Sequence, residues 1–218
     1  MTKPLLITDC DEVLLHMVVP FSAWLDEVHD IEFSMKGRDF ANALTDRKTS
    51  EPVAPERIWE LLGGFFDTEM HRQHPIAGAV NAITEIGKVA DVAILTNLMD
   101  HRRDARAEQL ANFGIAHPVY TNQGPKGEAL KRIVEEYQPS VSLFIDDLPQ
   151  HHGSAGEIVP DTWRLHMIGE PVVAPHFGCA HEAGNAHARI DQWDAALPWI
   201  LERFSQGEPA SPPQKAAA

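Results

Sequence analysis

Leu5-Leu6-Ile7-Thr8 is a short apolar run of β-forming residues that ends abruptly in Asp9-Cys10-Asp11. A run that apolar reads as a strand buried on both faces, with its C-terminal end reaching water. From His16 to Pro75 the pattern changes to helical spacing, as in Phe21 to Leu25 and Ile58 to Leu62, and no strand is expected there. Pro55-Glu56 suits the first turn of a helix, and Gly63-Gly64 is expected to interrupt or end it. After Pro75 helices and strands alternate. Helices are expected over 77–88, 102–113, 126–137 and 191–204, and strands over 89–95, 118–120, 141–145 and 162–168. Gly114 stops the second of these helices and Pro125 opens the third.

Strands that alternate with helices give a parallel sheet in a three-layer α/β fold. The helical stretch after the first strand is too long for a simple crossover, so it is expected to be an inserted cap. The expected division is a Rossmann-like core from 1–15 and 76–205, a helical cap at 16–75, and a disordered tail at 206–218 rich in Pro, Ala and Ser.

Ligands of an open parallel sheet bind outside the C-terminal strand ends. Three strands here end in polar residues: Asp9/Asp11, Thr96/Asn97 and Asp146/Asp147. Carboxylates converging on one sheet edge repel unless compensated, and a divalent cation with all-oxygen ligands, Mg²⁺ above all, is the natural compensation. Lys126 opens the helix before the third of these strands, an electrostatically misplaced position that favours a functional reason.

The ordered set Leu5 to Leu14, Ile94-Leu95-Thr96-Asn97, Lys126 and Leu143 to Asp147 resembles the haloacid dehalogenase-like (HAD) hydrolase superfamily. Its four short motifs occur in order, the insert resembles a type C1 cap, and the resemblance extends through about residue 170. It implies a nucleophile at Asp9, forming an aspartyl-phosphate, and a general acid/base at Asp11. It implies phosphate binding by Thr96 and Lys126. It implies Mg²⁺ held by Asp9, Asp146, Asp147 and the backbone carbonyl of Asp11. Asn97 reads as a substrate contact or a turn residue, and loop capping competes with metal binding at Asp147. Many relatives carry Gly where this chain has Glu12.

The function implied is a Mg²⁺-dependent phosphatase of a small phosphorylated metabolite. A phosphomutase or phosphotransferase of the same superfamily uses the same acids, and a HAD-fold binding or regulatory protein with little turnover is the reading from another class. Asp11 disfavours dehalogenase and phosphonatase chemistry, where no alkoxide needs a proton.

Composition bounds the partners. The 218 residues carry 18 Lys+Arg against 32 Asp+Glu, a net charge of −14, which argues against nucleic acids and anionic membranes. It says nothing against a small phosphate ester, whose binding the local field decides. Two cysteines, Cys10 and Cys179, build no disulfide framework, and no apolar run reaches the roughly 20 residues of a membrane-spanning helix, so a cytoplasmic protein is expected. Twelve histidines invite a zinc site, yet His176, Cys179, His181 and His187 match no established spacing. His151-His152 follow the fourth motif and are candidates to border the cleft. Arg102, Arg103 and Arg106 interleave with Asp104 and Glu108 and read as a solvated face. Arg38, Arg47 and Lys48 are the cap cations best placed for an anionic substrate, and Trp24 and Trp59 read as cap core.

Overall fold

The computed structural model describes residues 2–36 and 40–213. Six parallel strands form one sheet: β1 (Leu5–Thr8), β4 (Asp91–Thr96), β5 (Val119–Thr121), β6 (Ser142–Asp146), β7 (Trp163–His166) and β8 (Ala188–Arg189). Their spatial order is β5-β4-β1-β6-β7-β8. β1 is central, with Thr8 opposite Ile94 on one side and Ile145 on the other. The strand order reverses direction at β1, so the crevice for a ligand falls at the C-terminal ends of β1, β4 and β6.

Alternation along β1 explains why its sequence is apolar throughout. Leu6 faces a cluster with Ile83 and Ile86 of α3 (Ala79–Gly87), Leu110 of α4 (Arg103–Asn112), and Trp193 and Ile200 of α7 (Trp193–Gln206). Leu5 and Ile7 face the opposite layer, with Leu130 and Ile133 of α5 (Gly127–Tyr137) and Ala155 of α6 (Pro149–Ile158). Each face buries its own row of side chains, as the period of two requires.

Between β1 and α3 lies the insert: α1 (Val18–Trp24), a π-helical turn Leu25–His29, β2 (Ile31–Phe33), β3 (Leu44–Asp46) and α2 (Pro55–Thr68). Its apolar residues Phe21, Leu25, Leu44, Ile58 and Phe65 form a separate cluster, which also takes in Leu98, Ile168 and Val173 from loops at the C-terminal sheet edge. The insert therefore sits on the edge where the acids emerge.

Several sequence expectations are corrected. β2 and β3 pair antiparallel inside a stretch expected to lack strands. Three-residue strands are too short to show an alternation against a helical background. Gly63-Gly64 do not break α2, which runs through both. There the Gly63 carbonyl accepts a 3.1 Å hydrogen bond from Arg102 Nη2, and a Cβ on Gly64 would lie 3.6 Å from the Trp24 ring. The small residues admit close neighbours instead of ending the helix. Helix α6 and strand β8 were not expected at all. Of the stretch expected to be disordered, residues 208–211 lie along β7 and β8. Glu208 O accepts from Trp163 Nε1 at 2.9 Å, and Ala210 N donates to Asp161 O at 2.9 Å. Residues 214–218 lie outside the described residues.

His187 fastens that segment. Its Nδ1 accepts from Arg164 N at 2.9 Å, so Nε2 carries the hydrogen and donates to Ser211 O at 2.7 Å. Burial lowers its pKa to about 4, against the Ser211 bond and with the help of the Arg164 charge. An unfolded histidine titrates near 6.5. Between these values the unfolded chain binds the extra proton, so stability falls as pH drops from about 6.5 toward 4. His187→Gln keeps both bonds and removes the titration. Its melting temperature is expected to fall less steeply than wild type between pH 7 and pH 4.5, and parallel curves would sink this account.

Candidate active site

Asp9 follows the last residue of β1, and its backbone N–H donates to Ile145 O at 2.8 Å, which fixes it to β6. Asp146 ends β6 and Asp147 follows it. One carboxylate oxygen each of Asp9, Asp146 and Asp147 lies within 4.8 Å of the others, and all three residues are buried. Lys126, at the N-cap position of α5, is fully buried and places Nζ 2.7 Å from both Asp9 Oδ1 and Asp146 Oδ2. The closeness of α5 to α6 sets this position. A Cβ on Gly127 would meet the Ser154 carbonyl at 2.5 Å, so only glycine fits beside Lys126.

Three carboxylates face one ammonium, which leaves the cluster short of positive charge. The titrations follow from that imbalance. Burial raises the Asp147 pKa well above the usual carboxylate range, and the Asp146 and Asp9 charges add to it. Burial also raises Asp9, with Lys126 opposing. For Lys126, burial works against the charge, but Asp146 and Asp9 outweigh it and raise its pKa above that of an ordinary lysine.

Thr96 closes β4, fully buried, and its Oγ1 has no hydrogen-bond partner among the described residues. A buried hydroxyl without a partner costs free energy unless a ligand takes it up. Asn97 is engaged otherwise: Nδ2 donates to Gly124 O at 3.0 Å, and Oδ1 accepts from Asn122 Nδ2 at 2.9 Å. It fastens the loop that leads into Lys126.

Asp11 does not join the three-carboxylate group. Its Oδ1 accepts from Gln73 Nε2 at 2.7 Å and Arg106 Nη2 at 3.0 Å, and its Oδ2 lies 3.2 Å from the same Nη2. Arg106 is therefore not part of a solvated face but wholly buried, which corrects the sequence reading. Interleaved acids on a helix mark its exposed side, yet Arg106 points the other way. A buried Arg must find a carboxylate, and Asp11 is the one it finds.

Glu12 has φ +60°, the region that favours glycine. Its Oε1 accepts from Met17 N at 2.9 Å and from Val18 N, capping α1. The glutamate thus anchors the first helix of the insert to the end of β1. Burial raises its pKa to about 7 against those two hydrogen bonds.

The remaining candidates separate cleanly. His152 Nε2 meets Asp146 O at 2.9 Å and His166 Nε2 meets Asp147 O at 2.8 Å. Ala180 N donates to His166 Nδ1, so His166 Nε2 carries the hydrogen, and these imidazoles brace the backbone of the acid pair. His166 carried no signal in the sequence. His151 is buried, with Nε2 3.4 Å from Asn97 Nδ2. Among the described residues, His176, Cys179, His181 and His187 are not placed to share a metal. Arg47 pairs with Asp26 at 2.7 Å and Lys48 with Asp30 at 3.6 Å, on the exposed side of the insert. Arg38 lies outside the described residues. Trp24 is core, but Trp59 is 63% exposed.

No family model matches the sequence, and no curated protein matches it. Solved structures do. A haloacid dehalogenase-like hydrolase from Streptococcus pneumoniae aligns with a TM-score of 0.61 at 11% identity, covering 92% of this chain and 98% of that one. The chain has the haloacid dehalogenase-like fold. The HAD hydrolase YfnB from Bacillus subtilis, bound to magnesium, aligns over 92% of this chain and 100% of its own with a TM-score of 0.61 at 14% identity. A Thermotoga maritima protein named for β-phosphoglucomutase aligns over 91% and 99%, with a TM-score of 0.61 at 14% identity. At such identities the likeness is one of fold. In this HAD-like fold the acids, Thr96 and Lys126 stand at the crevice the strand order creates.

The donor set fits a hard divalent cation. Three carboxylates offer only oxygen, and the deficit of positive charge invites a dication.

Proposed function

We propose that the protein is a Mg²⁺-dependent phosphatase of a small phosphorylated metabolite, with residues 16–75 acting as a C1-type cap over the site. The observation that carries the reading is Lys126 bridging Asp9 and Asp146 at 2.7 Å, with Asp147 beside them. A binding protein needs no carboxylate held at the sheet edge by a buried lysine. Mg²⁺ would be held by Asp9, Asp146, Asp147 and the Asp11 carbonyl, and when bound it would offset charge on the phosphoryl oxygens.

The chain's own residues account for the chemistry. Lys126 occupies Asp9 Oδ1 and leaves Oδ2 to attack phosphorus. The new bond joins Asp9 to phosphorus while the bond from phosphorus to the ester oxygen breaks, and a proton from Asp11 goes to that oxygen. In the second half, Asp11 takes a proton from water as the water oxygen attacks phosphorus, freeing Asp9 and inorganic phosphate. Thr96 Oγ1 and Lys126 Nζ donate to the phosphoryl oxygens, whose charge they are already placed to meet. Closure of the insert would exclude water during transfer.

The substrate is a small phosphate ester, not a nucleic acid or membrane, consistent with the net charge of −14. No helix among the described residues is long and apolar enough to cross a membrane, and both cysteines are free thiols, which suits a cytoplasmic location. Purified protein assayed on p-nitrophenyl phosphate and a panel of phosphometabolites is expected to release phosphate with Mg²⁺ and to stop with EDTA. No Mg²⁺-dependent release from any ester would overturn the reading.

A further inference from the structure

Arg106 is among the largest fully buried side chains in the protein. A buried guanidinium needs its charge met, and of the three Arg106 nitrogens only Nε has no hydrogen-bond partner among the described residues. Nη2 meets both oxygens of Asp11, and Nη1 donates to Cys10 Sγ at 3.2 Å. The Phe66 ring of α2 lies 5.5 Å from the guanidinium carbon, within reach of a cation–π contact. On the other side of the carboxylate, Gln73 Nε2 donates to Asp11 Oδ1 and to His16 O at 3.2 Å. Phe66 and Gln73 both belong to the inserted stretch, whereas Arg106 and Asp11 belong to the core.

We propose that Arg106 is a positioning residue for Asp11, fixing the direction of its carboxylate and tying that direction to the seating of the insert. The inference rests on the phosphatase reading, in which Asp11 gives a proton to the leaving oxygen. Two donors occupy Oδ1, and Oδ2 keeps only the longer contact. Oδ2 is thus the oxygen left to carry the proton. An aspartate beyond a strand end has several open rotamers, and a general acid works only within hydrogen-bond reach of the departing atom. The planar guanidinium removes that freedom in a way a lysine point charge does not.

The test compares two esters. p-Nitrophenolate leaves without a proton, while an alkoxide needs one. The readout is the ratio of kcat/KM for an alkyl phosphate to kcat/KM for p-nitrophenyl phosphate, which ends at departure of the leaving group and omits the water step both esters share, in Asp11→Asn, Arg106→Met, Arg106→Lys, Gln73→Leu and the double variant Asp11→Asn/Arg106→Met. Arg106→Met is expected to lower the ratio about 30-fold, a part of the 10²–10⁴ that general acid catalysis supplies. Arg106→Lys restores some of it, and Gln73→Leu lowers it about 5-fold by the same logic. In the double variant the ratio falls no further than in Asp11→Asn alone. Mg²⁺ affinity measured by calorimetry stays within about 3-fold in the single Arg106 and Gln73 variants, whose residues hold no metal ligand. A purely structural Arg106 would scale both rates together, and that result, or full additivity with Asp11→Asn, overturns the proposal. If Asp11→Asn itself leaves the ratio unchanged, the acid assignment fails and the proposal with it. That outcome is told apart from failure of Arg106 alone. If Arg106→Met does not fold, Gln73→Leu and Arg106→Lys decide the question, since neither leaves Asp11 without a partner.

Discussion

Asp9→Asn is expected to abolish Mg²⁺-dependent phosphate release, by at least about 10⁴-fold, as loss of a covalent nucleophile does. An amide nitrogen or oxygen at this position does not open the displacement at phosphorus. The same substitution is expected to leave the metal-free melting temperature no lower than wild type. Asp9 is buried among Asp146 and Asp147, with one lysine for all three. Removing one negative charge relieves repulsion in a site that the fold holds against its own electrostatics. Lys126 keeps its 2.7 Å contact with Asp146. Turnover within 10-fold of wild type would dismiss Asp9 as nucleophile, and a large loss of stability would show that Asp9 is a structural partner of Lys126 first. Activity and melting temperature measured on the same preparation separate the two.

How far the sequence reaches is clearest at the strand ends. A buried parallel strand must be an unbroken apolar run, so the place where Leu5 to Thr8 gives way to Asp9 is visible in the chain, and so is Phe144-Ile145 giving way to Asp146-Asp147. Helix-opening Lys126 was legible as an oddity because the helix dipole disfavours a cation there. What was not legible depends on side-chain direction and tertiary contact. Arg106 shares a helix with Arg103 and Asp104, which lie in solvent, and only its i, i+4 step to buried Leu110 marks it as facing inward, a signal its charge masks. The hairpin β2–β3 is three residues a side and leaves no periodic trace. Helix α6 carries Gly153 and Gly156, which reads as loop. Gly156 has the Arg164 guanidinium at its Cβ position, 3.4 Å away, so the small residue serves a neighbour 8 positions later in the chain. The four acids were found from sequence because charge at an apolar strand's end is unusual. The groups that orient them from a distance in sequence, Arg106, Gln73 and His166, were not, because each acts through a partner far along the chain, whereas His152, which follows the fourth motif, was singled out as a cleft-border candidate.

Lys126→Met is expected to cost the most stability of any single change at the site. Lys126 lies between Asp9 and Asp146, fully buried with one of them and nearly so with the other. Removing it leaves three buried carboxylates with no cation, and breaking a buried pair by deleting one partner costs about 3–5 kcal/mol. For a chain of 218 residues that corresponds to a fall of about 6–20 °C in the metal-free melting temperature. Methionine fills the volume of the lysine stem, so the loss reports charge rather than a cavity. The same deficit makes the variant more responsive to metal. Saturating Mg²⁺ is expected to raise its melting temperature by more than it raises that of wild type, because the dication then supplies the missing positive charge. Activity with Mg²⁺ present stays about 10²–10³-fold below wild type, since the donor to the transferring phosphoryl group is gone. A variant as stable as wild type in EDTA would mean that the three carboxylates share protons instead of charge. A Mg²⁺ shift no larger than that of wild type would mean that the ion does not occupy the acid cluster. The two measurements therefore test the electrostatics of the fold and the location of the metal independently.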